Sequence, residues 1–525
     1  MSVGSQTRIA LSEAHFMELI ALLDLPVETA AVLAATIVPA TPVGTGPIPT
    51  ADHGTSYPSE VHTSGSVTLL AQTLTLVPEG AYLNRSGFGL SIASHGWVPA
   101  FRAAIKNSQV PVFVHTHPGG IAFFSDYDDK VDAELAAAAR DLGAPAYASM
   151  VVAGRSEGSA VTARLQTFDP NPPISVSTAS TIQLRPVDAV RVSGSKLRLM
   201  LPPVSERDDG GVGGGQEQRA EVAGHCKRQD SGDVFDRQMR MLGADGQRTL
   251  AQINVAIVGA GGTGSAVAVQ LGRIGVGSIC LVDDDRVTPA TPTRGHGMRI
   301  ADVDRSKVSV LAEHLRDIGL GTHIREINAS LHSPEALRAI QHSDVVFSCV
   351  DGHGARLILN RFAYAQLAVV IDLAVLVTMT GSGAEVDERV TWLGPGTACL
   401  LCRGRLDATL AYAENLSPDE RKRLAGEGYV QSIETPQPAV VTLTTLVAAL
   451  AATEFLLRLS GIGSNEATEL LLRPHVGELR RNRSPQRPGC FCSDPRFLAR
   501  GQKEPYLDLM WAKPPMAGPI EEPDK

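Results

Sequence analysis

A regular alternation of short apolar segments and helix-length stretches constrains the fold of residues 233–500 more than any other feature of this chain. The apolar segments read INVAIVG, SICLVD, HIREIN, DVVFSCVD and AVVIDLAVL. Strands that are apolar on both faces and alternate with helices are typical of a parallel sheet that helices cover on both sides. We therefore predict an α/β domain with a mostly parallel sheet, followed by a C-terminal tail at residues 501–525.

A glycine-rich motif follows the first of these strands and begins the first helix. In VAIVGAGGTGSAVA, Gly259, Gly261 and Gly264 satisfy G-x-G-x-x-G, and Gly262 lies among them. Glycine lets the backbone approach a phosphate at a helix N-terminus. Asp283 closes the second strand, where such sites place the acidic residue that binds a ribose hydroxyl. The motif predicts a nucleotide site and, taken alone, fits an NAD-dependent dehydrogenase.

The charges around this motif favour ATP over NAD. A hydride-transfer enzyme has no evident need for them. Activation of a carboxylate by ATP requires cations that neutralise the triphosphate and a carboxylate that positions magnesium. The charged candidates along the chain are Arg237, Asp285, Arg294, Lys307 and Asp351.

In the order and spacing of these motifs, residues 234–494 resemble the ThiF/MoeB adenylating domain that ubiquitin-activating enzymes share. The resemblance implies a Rossmann-like fold, the cofactors ATP and Mg²⁺, and adenylation of the C-terminal carboxylate of a ubiquitin-like protein. It implies that Asp283 binds ribose and that Arg294 and Lys307 contact phosphates. It also implies that Asp351 handles magnesium. In a homodimer, Arg237 would reach into the partner's site.

One segment departs from this family's pattern. The family's S-N-L-x-R-Q reads ATPTRG here, so that Thr291 stands where asparagine is usual and Gly295 stands where glutamine is usual. Arg294 stays in place. The departure concerns the groups that position this arginine.

Four of the seven cysteines form two close pairs, Cys399-x-x-Cys402 and Cys490-x-Cys492. Seven cysteines in 525 residues do not make a disulfide scaffold, and close pairs suggest metal binding in a reducing cytoplasm. The first pair fits the CxxC pairs that hold a structural zinc in related domains, and the second is tighter but still able to bind. We predict a four-cysteine zinc site. The alternative is that one or more of these cysteines is free, including as a thioester nucleophile.

A second motif lies in the N-terminal part, in VHTHPGGIAFFSDYDD. On a β-strand His115 and His117 point to the same face, and two neutral imidazoles can hold zinc. Asp128, from the next element, would be a third ligand and would leave one position open for water. Ser125 and Asp128 also have the spacing of a capping box for the following helix. Capping does not exclude ligation and does not explain the two histidines.

The full pattern, H-x-H-x7-S-x2-D, resembles the signature of the JAMM (JAB1/MPN+) metalloproteases. The resemblance implies an α/β zinc peptidase domain over residues 1–169, in which His115, His117 and Asp128 hold zinc and Ser125 stabilises the oxyanion. The family's proton-shuttling glutamate opens an early strand. We favour Glu28 for this role over Glu60, although the glycines usual near this glutamate are missing.

Composition bounds the remaining questions. The chain has 47 basic and 56 acidic residues and a net charge of −9, which argues against nucleic acid and against a polybasic membrane patch. The uncharged stretch at residues 436–453 is barely long enough to span a bilayer, and we expect a helix buried in a large domain instead. Residues 170–232 are glycine-rich and charged in part, which predicts a flexible linker. We expect a cytoplasmic protein that does not enter the membrane.

Together the two resemblances predict a bifunctional enzyme of a bacterial ubiquitin-like modification system, of a kind sometimes linked to phage defence. It would adenylate the tail of a ubiquitin-like protein and cleave a peptide or isopeptide bond at that tail. A conjugating enzyme would be a further partner. The alternatives are processing of a sulfur-carrier protein in cofactor synthesis, a non-catalytic binding module, and the NAD-dependent dehydrogenase.

Overall fold

The fold is known from a computed structural model of the 525-residue chain. It describes residues 5–39, 65–154, 158–168, 182–203, 234–381, 383–414, 438–462 and 466–501, together with residues 416, 419, 420 and 423. Within these ranges the chain forms two large mixed sheets, each with helices against its faces. The protein is therefore an α/β protein.

The N-terminal sheet has nine strands. The elements of this half are β1 (Thr7–Ser12), α1 (Glu13–Ala21), β2 (Ala30–Pro39), β3 (Val67–Leu76), β4 (Tyr82–Ser86), β5 (Gly89–Ile92), α2 (Val98–Lys106), β6 (Val110–Pro118), α3 (Asp126–Asp141), β7 (Ala146–Gly154), β8 (Ala160–Phe168), β9 (Ile182–Pro186), β10 (Ala189–Ser193) and β11 (Leu197–Met200). The strand order is β11-β10-β1-β3-β2-β6-β7-β8-β9, and β4 and β5 form a separate two-stranded sheet.

Helices cover this sheet on both sides because its strands carry apolar residues on both faces. On one face α1 buries Phe16 and Leu19 against the apolar side chains of β6 and β7. On the other face Phe101 of α2 and Leu135 of α3 pack with Phe113. Burial of such side chains is the main favourable term in folding. The α/β layering predicted for this half is present.

The predicted linker needs correction in its middle part. Residues 182–203 form β9, β10 and β11, and β10 pairs in parallel with β1. Val190 and Val192 are buried in the N-terminal core. The strands are short and their apolar residues alternate with arginines, so the composition of this segment does not predict strands. The rest of the predicted linker lies outside the described residues.

The C-terminal sheet has eight strands. Its half contains α4 (Asp236–Leu250), β12 (Asn254–Val258), α5 (Gly262–Ile274), β13 (Ser278–Val282), α6 (Lys307–Ile318), β14 (His323–Ile327), α7 (Pro334–Ile340), β15 (Val345–Ser348), α8 (His353–Ala365), β16 (Val369–Thr380), β17 (Gly383–Leu393), α9 (Ala408–Glu414), α10 (Val441–Ser460), β18 (Glu469–Arg473) and β19 (Glu478–Asn482). The order is β14-β13-β12-β15-β16-β17-β18-β19.

Five of these strands are parallel and confirm the five predicted apolar segments. The last three pair antiparallel, which makes the sheet mixed. For the first of these pairs, β16 and β17, the reason is local. The chain reverses between Thr380 and Gly383, and so short a connection has no room for the crossover that a parallel pair requires. Helices α5, α6 and α10 pack on one face, and α7 and α8 pack on the other.

The two sheets dock through a buried charge cluster. Arg8 of β1 forms an ion pair with Asp344, which directly precedes β15. Arg191 of β10 lies 3.3 Å from the other oxygen of Asp344 and donates to the carbonyl of Gln366 at 2.8 Å. An apolar contact between Leu70 of β3 and Leu367 adds to this interface. The N-terminal half thus docks against the edge at which the parallel strands of the second sheet begin.

One helix among the described residues, α10, is long and apolar enough to cross a membrane. It packs against α5, β16 and β17 and buries Phe455 in the core of the C-terminal half. Glu454 and Arg458 are buried on it as a hydrogen-bonded pair. The helix therefore has the contacts expected of a core helix.

Candidate active sites

The end of β6 and the first turn of α3 bring the predicted zinc ligands together. His115 Nε2 lies 3.2 Å from Asp128 Oδ1, and His117 Nε2 lies 3.6 Å from Asp128 Oδ2. One ligand atom from each of the three residues lies within 4.8 Å of the others. Strand alternation places the two imidazoles on one face, as predicted. Two imidazoles and a carboxylate in this arrangement fit a zinc ion with an open coordination position.

Ser125 and Asp128 form the predicted capping box as well. Ser125 is the N-cap of α3, and its hydroxyl accepts from the backbone N–H of Asp128 at 3.2 Å. The Asp128 carboxylate in turn accepts from the N–H and the hydroxyl of Ser125, both at 2.7 Å. The other carboxylate oxygen faces His115. The Asp128 side chain therefore caps α3 and also faces the histidines.

The protonation states suit a cation. Burial opposes ionisation of Asp128, but hydrogen bonds from His115 and Ser125 outweigh it and hold the pKa of this carboxyl well below its usual range. Burial, reinforced by the neighbouring His115, lowers the pKa of His117. A neutral imidazole and an ionised carboxylate are the forms that bind metal.

Glu28 reaches the same site from the start of β2. Its Oε1 lies 3.8 Å from His117 Nε2, because Ala30 is paired with His115 across β2 and β6. The side chain is only 5% exposed, and burial raises the pKa of Glu28 to about 7. The structure thus brings the favoured glutamate to the predicted ligands. Its rival Glu60 lies outside the described residues.

The glycine motif forms a tight turn between β12 and α5. Gly259 has φ +93°, and a Cβ there would lie 2.5 Å from the carbonyl oxygen of Cys349. A Cβ at Gly264 would lie 1.8 Å from the carbonyl oxygen of Gly259. A Cβ at Gly261 would meet nothing within 4 Å, and no side chain caps the helix that begins at Gly262. Two glycines are required by packing, and the third leaves an open approach to the N–H groups of the helix.

Asp283 and Lys307 border this turn. Asp283 accepts from the N–H of Ala260 at 2.6 Å and from the N–H of Asp285 at 2.8 Å. Burial raises the pKa of Asp283, and the nearby Lys307 partly offsets the rise. Lys307 Nζ lies 2.6 Å from Asp285 Oδ2. The carboxylates of Asp283, Asp284 and Asp285 lie within 4.8 Å of one another.

Arg294 lies against the first turn of α5. A Cβ at Gly262 would lie 3.2 Å from Arg294 Cγ. The backbone carbonyl of Thr291, the residue that stands where asparagine is usual, accepts from the N–H groups of Arg294 at 3.1 Å and Gly295 at 2.8 Å, and its hydroxyl accepts from the N–H of Thr288 at 2.9 Å. A Cβ at Gly295 would lie 2.7 Å from the sulfur of Met298. The departure from the family pattern thus leaves Arg294 beside the glycine turn.

His296 is a residue of this loop that the sequence did not single out. Its N–H donates to Ser265 Oγ at 2.9 Å, and its Nε2 lies 2.9 Å from Thr445 Oγ1. It therefore connects the loop of Arg294 to α5 and to the start of α10. No local pattern marks it, because both partners are distant in sequence.

Within the described residues, two predicted nucleotide-site residues make no hydrogen bond or ion pair at the glycine turn. Asp351 is exposed in the segment after β15, and it is not among the three grouped carboxylates. Arg237 is exposed on α4, near Phe235, whose ring lies against Gly275 at the end of α5. The glycine turn is at the other end of this 13-residue helix, roughly 20 Å away. In a single chain Arg237 does not reach the turn.

The four predicted zinc cysteines lie together. Sγ atoms of Cys399 and Cys490 are 3.6 Å apart, as are those of Cys402 and Cys492, and all four lie within 4.8 Å of one another. The N–H groups of Cys402 and Arg487 donate to sulfur. A hydrogen bond from Cys492 lowers the pKa of Cys399 to about 5. The tight C-x-C pair fits the cluster, whose four thiols can hold a tetrahedral zinc.

The other two described cysteines, Cys280 and Cys349, lie in or beside the core strands, and burial raises the pKa of both thiols. Neither has the lowered pKa of a nucleophilic thiol. The segment 424–437, where a thioester cysteine is usual in the resembled family, contains none and lies outside the described residues.

Comparison with known proteins assigns the C-terminal half. Residues 235–491 match the model of the ThiF family, so a ThiF family domain occupies this part of the chain. Adenylyltransferase and sulfurtransferase MOCS3 of Caenorhabditis briggsae is 31% identical over 34% of this chain and 44% of its own length. Molybdopterin-synthase adenylyltransferase of Escherichia coli K12 is 29% identical over 33% of this chain and 68% of its own length.

The chain spans about half or less of the length of the first curated relatives that it matches. The solved structure of E. coli MccB + ATP is 19% identical, with 49% of this chain and 73% of that chain covered and a TM-score of 0.39. The family match begins after the N-terminal sheet.

Proposed function

Since a ThiF family domain occupies residues 235–491, we propose that this half is an ATP-dependent adenylyltransferase for the C-terminal carboxylate of a ubiquitin-like or sulfur-carrier protein. The carboxylate would attack the α-phosphorus of ATP, which forms an acyl-adenylate and releases pyrophosphate. The observation that carries the proposal is the open glycine turn with Arg294 and Lys307 beside it.

The residues of this turn have separable tasks in that reaction. The N–H groups that follow Gly261 would bind phosphate oxygens, and Asp283 would accept from a ribose hydroxyl. Arg294 and Lys307 would neutralise charge that develops at the α-phosphorus. For Lys307 this requires exchange of its present partner, Asp285, for phosphate. Asp351 would hold Mg²⁺, which would neutralise part of the phosphate charge.

A homodimer would supply the remaining arginine. Arg237 lies at the wrong end of α5 for its own glycine turn, so a role at the nucleotide requires the turn of a second copy. The test is pyrophosphate exchange by mixtures of Arg237→Ala and Lys307→Ala chains. Activity in the mixture above that of either variant supports a shared site, and its absence contradicts one.

We further propose that the N-terminal half is a zinc peptidase. The observation that carries this proposal is the convergence of Glu28 on His115, His117 and Asp128. Zinc bound by the two histidines and Asp128 would supply a water of lowered pKa. Glu28 would accept the proton of this water and donate it to the leaving amine. Ser125 would donate to the oxyanion through its hydroxyl.

The two proposals make sense in one chain because both activities act on the same kind of tail. Adenylation requires a free C-terminal carboxylate, and a peptidase can expose one or release a conjugated protein. Both ubiquitin-like conjugation and sulfur transfer fit, and a conjugating enzyme would be a partner only in the first. The deciding experiment is to supply tail-extended and trimmed carriers. We expect the trimmed carrier to support pyrophosphate exchange directly. The extended carrier should support it only after zinc-dependent cleavage.

We propose that the cysteine cluster holds a structural zinc. Its sulfur atoms join the segment at residues 399–402, which follows β17, to residues 490–492 near the end of the described chain. Such a site stabilises the fold without taking part in adenylation. Zinc analysis of the purified chain tests it, since two zinc ions are expected and substitution of Cys402 should remove one.

A further inference from the structure

Arg164 of β8 lies outside the proposed ligand set but contacts the residues on either side of the segment that carries the ligand Asp128 and its neighbour Ser125. Its Nε donates to Asp132 Oδ2 at 2.7 Å and to Ser149 Oγ at 3.3 Å. Its Nη1 donates to Asp129 Oδ1 at 2.7 Å. The guanidinium carbon lies 3.9 Å from the centre of the Phe124 ring. One side chain therefore makes two ion pairs and one cation–π contact.

These contacts lie on either side of Ser125 and Asp128, the two residues of this segment with proposed roles at the zinc site. Phe124 directly precedes the N-cap Ser125, and Asp129 directly follows Asp128. The ring of Phe124 also lies edge-on to the imidazole of His115, with centroids 6.3 Å apart. A shift of Arg164 would thus act on both ends of the segment from Ser125 to Asp128.

The anchor behind Arg164 is rigid. Asp132 is 4% exposed and accepts from the hydroxyl of Tyr147 at 2.7 Å and from the amide of Gln166 at 2.9 Å, in addition to Arg164. A buried carboxylate with three donors is held in one orientation. Asp132 therefore holds the Nε side of the guanidinium in place, while Nη1 donates to Asp129 and the planar face lies on the Phe124 ring.

The geometry requires an arginine. Its planar group donates to two carboxylates at once while its face lies on an aromatic ring. A lysine carries the same charge but has a single compact ammonium, which cannot make all three contacts. The charge-conserving change from arginine to lysine therefore separates geometry from charge.

We infer that Arg164 is a positioning residue for the zinc ligand Asp128 and for Ser125, acting through Asp129 and Phe124. The inference rests on the proposed zinc peptidase site. Groups that orient metal ligands from outside the coordination sphere contribute about ten- to a hundredfold to metal affinity.

The test uses the full chain, with zinc alone as the probe and a competing chelator as the reference. Arg164→Lys is expected to weaken zinc binding at the His115–His117–Asp128 site by about ten- to a hundredfold. It should also change the visible absorption of Co²⁺ bound there, since that spectrum reports coordination geometry. The four-cysteine site serves as an internal control, because its affinity and its thiolate–cobalt absorption should stay at the wild-type values.

Two further variants keep the test decisive. Arg140→Gln is the matched control, because Arg140 lies near the end of α3 and, among the described residues, has an ion pair only to its neighbour Asp141. It should bind zinc as the wild type does. Asp129→Asn removes only the charge of the partly exposed contact with Arg164 and should weaken zinc binding by a smaller factor, which covers the case that Arg164→Lys fails to fold.

Opposite results have distinct meanings. Wild-type zinc affinity and an unchanged cobalt spectrum in folded Arg164→Lys or in Asp129→Asn overturn the positioning role. A wild-type chain that holds no zinc dependent on His117 overturns the proposed peptidase site, and the inference with it.

Discussion

Arg8 and Asp344 form an ion pair across the boundary between the two sheets, and their side chains are 4% and 0% exposed. Asp344 also accepts from the N–H of Asn254 at 2.9 Å and lies 3.3 Å from Arg191. The first strand of the chain is thus held by a carboxylate at the base of the second sheet. The two halves therefore share one buried polar network.

We expect Asp344→Ala to destabilise the whole chain. Removal of one partner from a buried ion pair leaves an uncompensated charge, which costs about 3–5 kcal/mol. Thermal unfolding should begin several degrees lower and should affect both halves together. Asp245→Ala, at an exposed ion pair on α4, should leave the unfolding temperature unchanged. A wild-type transition in the Asp344 variant would contradict this coupling.

The same network bears on excision of the N-terminal half. Deletion of residues 1–169 would remove Arg8 and expose the apolar surface around Leu367. Loss of adenylation in such a truncated chain would therefore report misfolding. Single substitutions are the valid test of whether the two activities are separable.

For adenylation, we expect Lys307→Ala and Asp351→Ala each to reduce pyrophosphate exchange at least about a hundredfold. Loss of a group that stabilises charge in the transition state costs a few kcal/mol of activation free energy. Asp317→Ala, at an exposed position on α6, is the control and should exchange at the wild-type rate. Near-normal exchange in the Asp351 variant would refute its assignment to magnesium.

For cleavage, we expect Glu28→Gln to reduce the rate by about 10²–10⁴-fold, which is the usual contribution of a general acid–base group. His117→Ala should abolish cleavage. Neither change should affect pyrophosphate exchange with a trimmed carrier. Glu79→Gln is the control, because the Glu79 side chain is 80% exposed and, within the described part of the chain, forms an ion pair only with Arg85. Full cleavage by the Glu28 variant would return the question to Glu60.

For metal content, we expect two zinc ions per purified chain. His117→Ala should lose one and Cys402→Ser should lose the other, because the two ligand sets share no residue. Only the cysteine variant should lose much thermal stability, since structural zinc contributes folding free energy. His95→Ala, at an exposed histidine, should retain both ions. A chain with His117 intact and a single zinc bound to sulfur would argue against the peptidase site.

For pH dependence, Glu388 on β17 is the informative group. It is fully buried, neither of its oxygens has a hydrogen-bond partner within the described structure, and burial raises the pKa of Glu388 from 4.5 to about 7. The folded chain therefore binds more protons than the unfolded chain between these values. Its contribution to stability is fully present below about pH 4.5 and is lost as pH rises through 7.

The corresponding experiment compares Glu388→Gln with the wild type by denaturant unfolding between pH 5 and pH 8. Relative to the variant, the wild type should lose up to about 3 kcal/mol of unfolding free energy as pH rises. Glu385→Gln, at an exposed position on the same strand, is the control. A difference between variant and wild type that is constant over this range would show that Glu388 has an ordinary pKa.

The sequence predicted those parts of the structure that depend on local pattern. The apolar segments became β12 to β16, and the glycine turn follows from residues within six positions of one another. Part of the proposed zinc site was predictable, because strand alternation places His115 and His117 on one face of β6 and the capping box places Asp128 in the first turn of α3.

Distant contacts could not be predicted in the same way. The strands at residues 182–200 gain their burial from pairing with β1, far earlier in the chain, and composition alone indicated a linker. His296 and Arg164 become relevant only through partners on other elements. Arg237 illustrates the reverse case, because its motif is local whereas its distance from the glycine turn follows from the packing of Phe235 on Gly275.

The N-terminal half docks against the edge at which the parallel strands of the second sheet begin, and this arrangement determines how far apart the two proposed sites lie. Along β2 the proposed peptidase site is at Ala30 and the contact with the second sheet is at Val38, roughly 25 Å further on. Along β12 the glycine turn lies roughly a further 15 Å beyond the docked edge. If both proposed activities operate, the two sites lie on opposite sides of the interface between the two sheets. We therefore expect that a short tail does not span the two sites and that a trimmed carrier dissociates before it is adenylated.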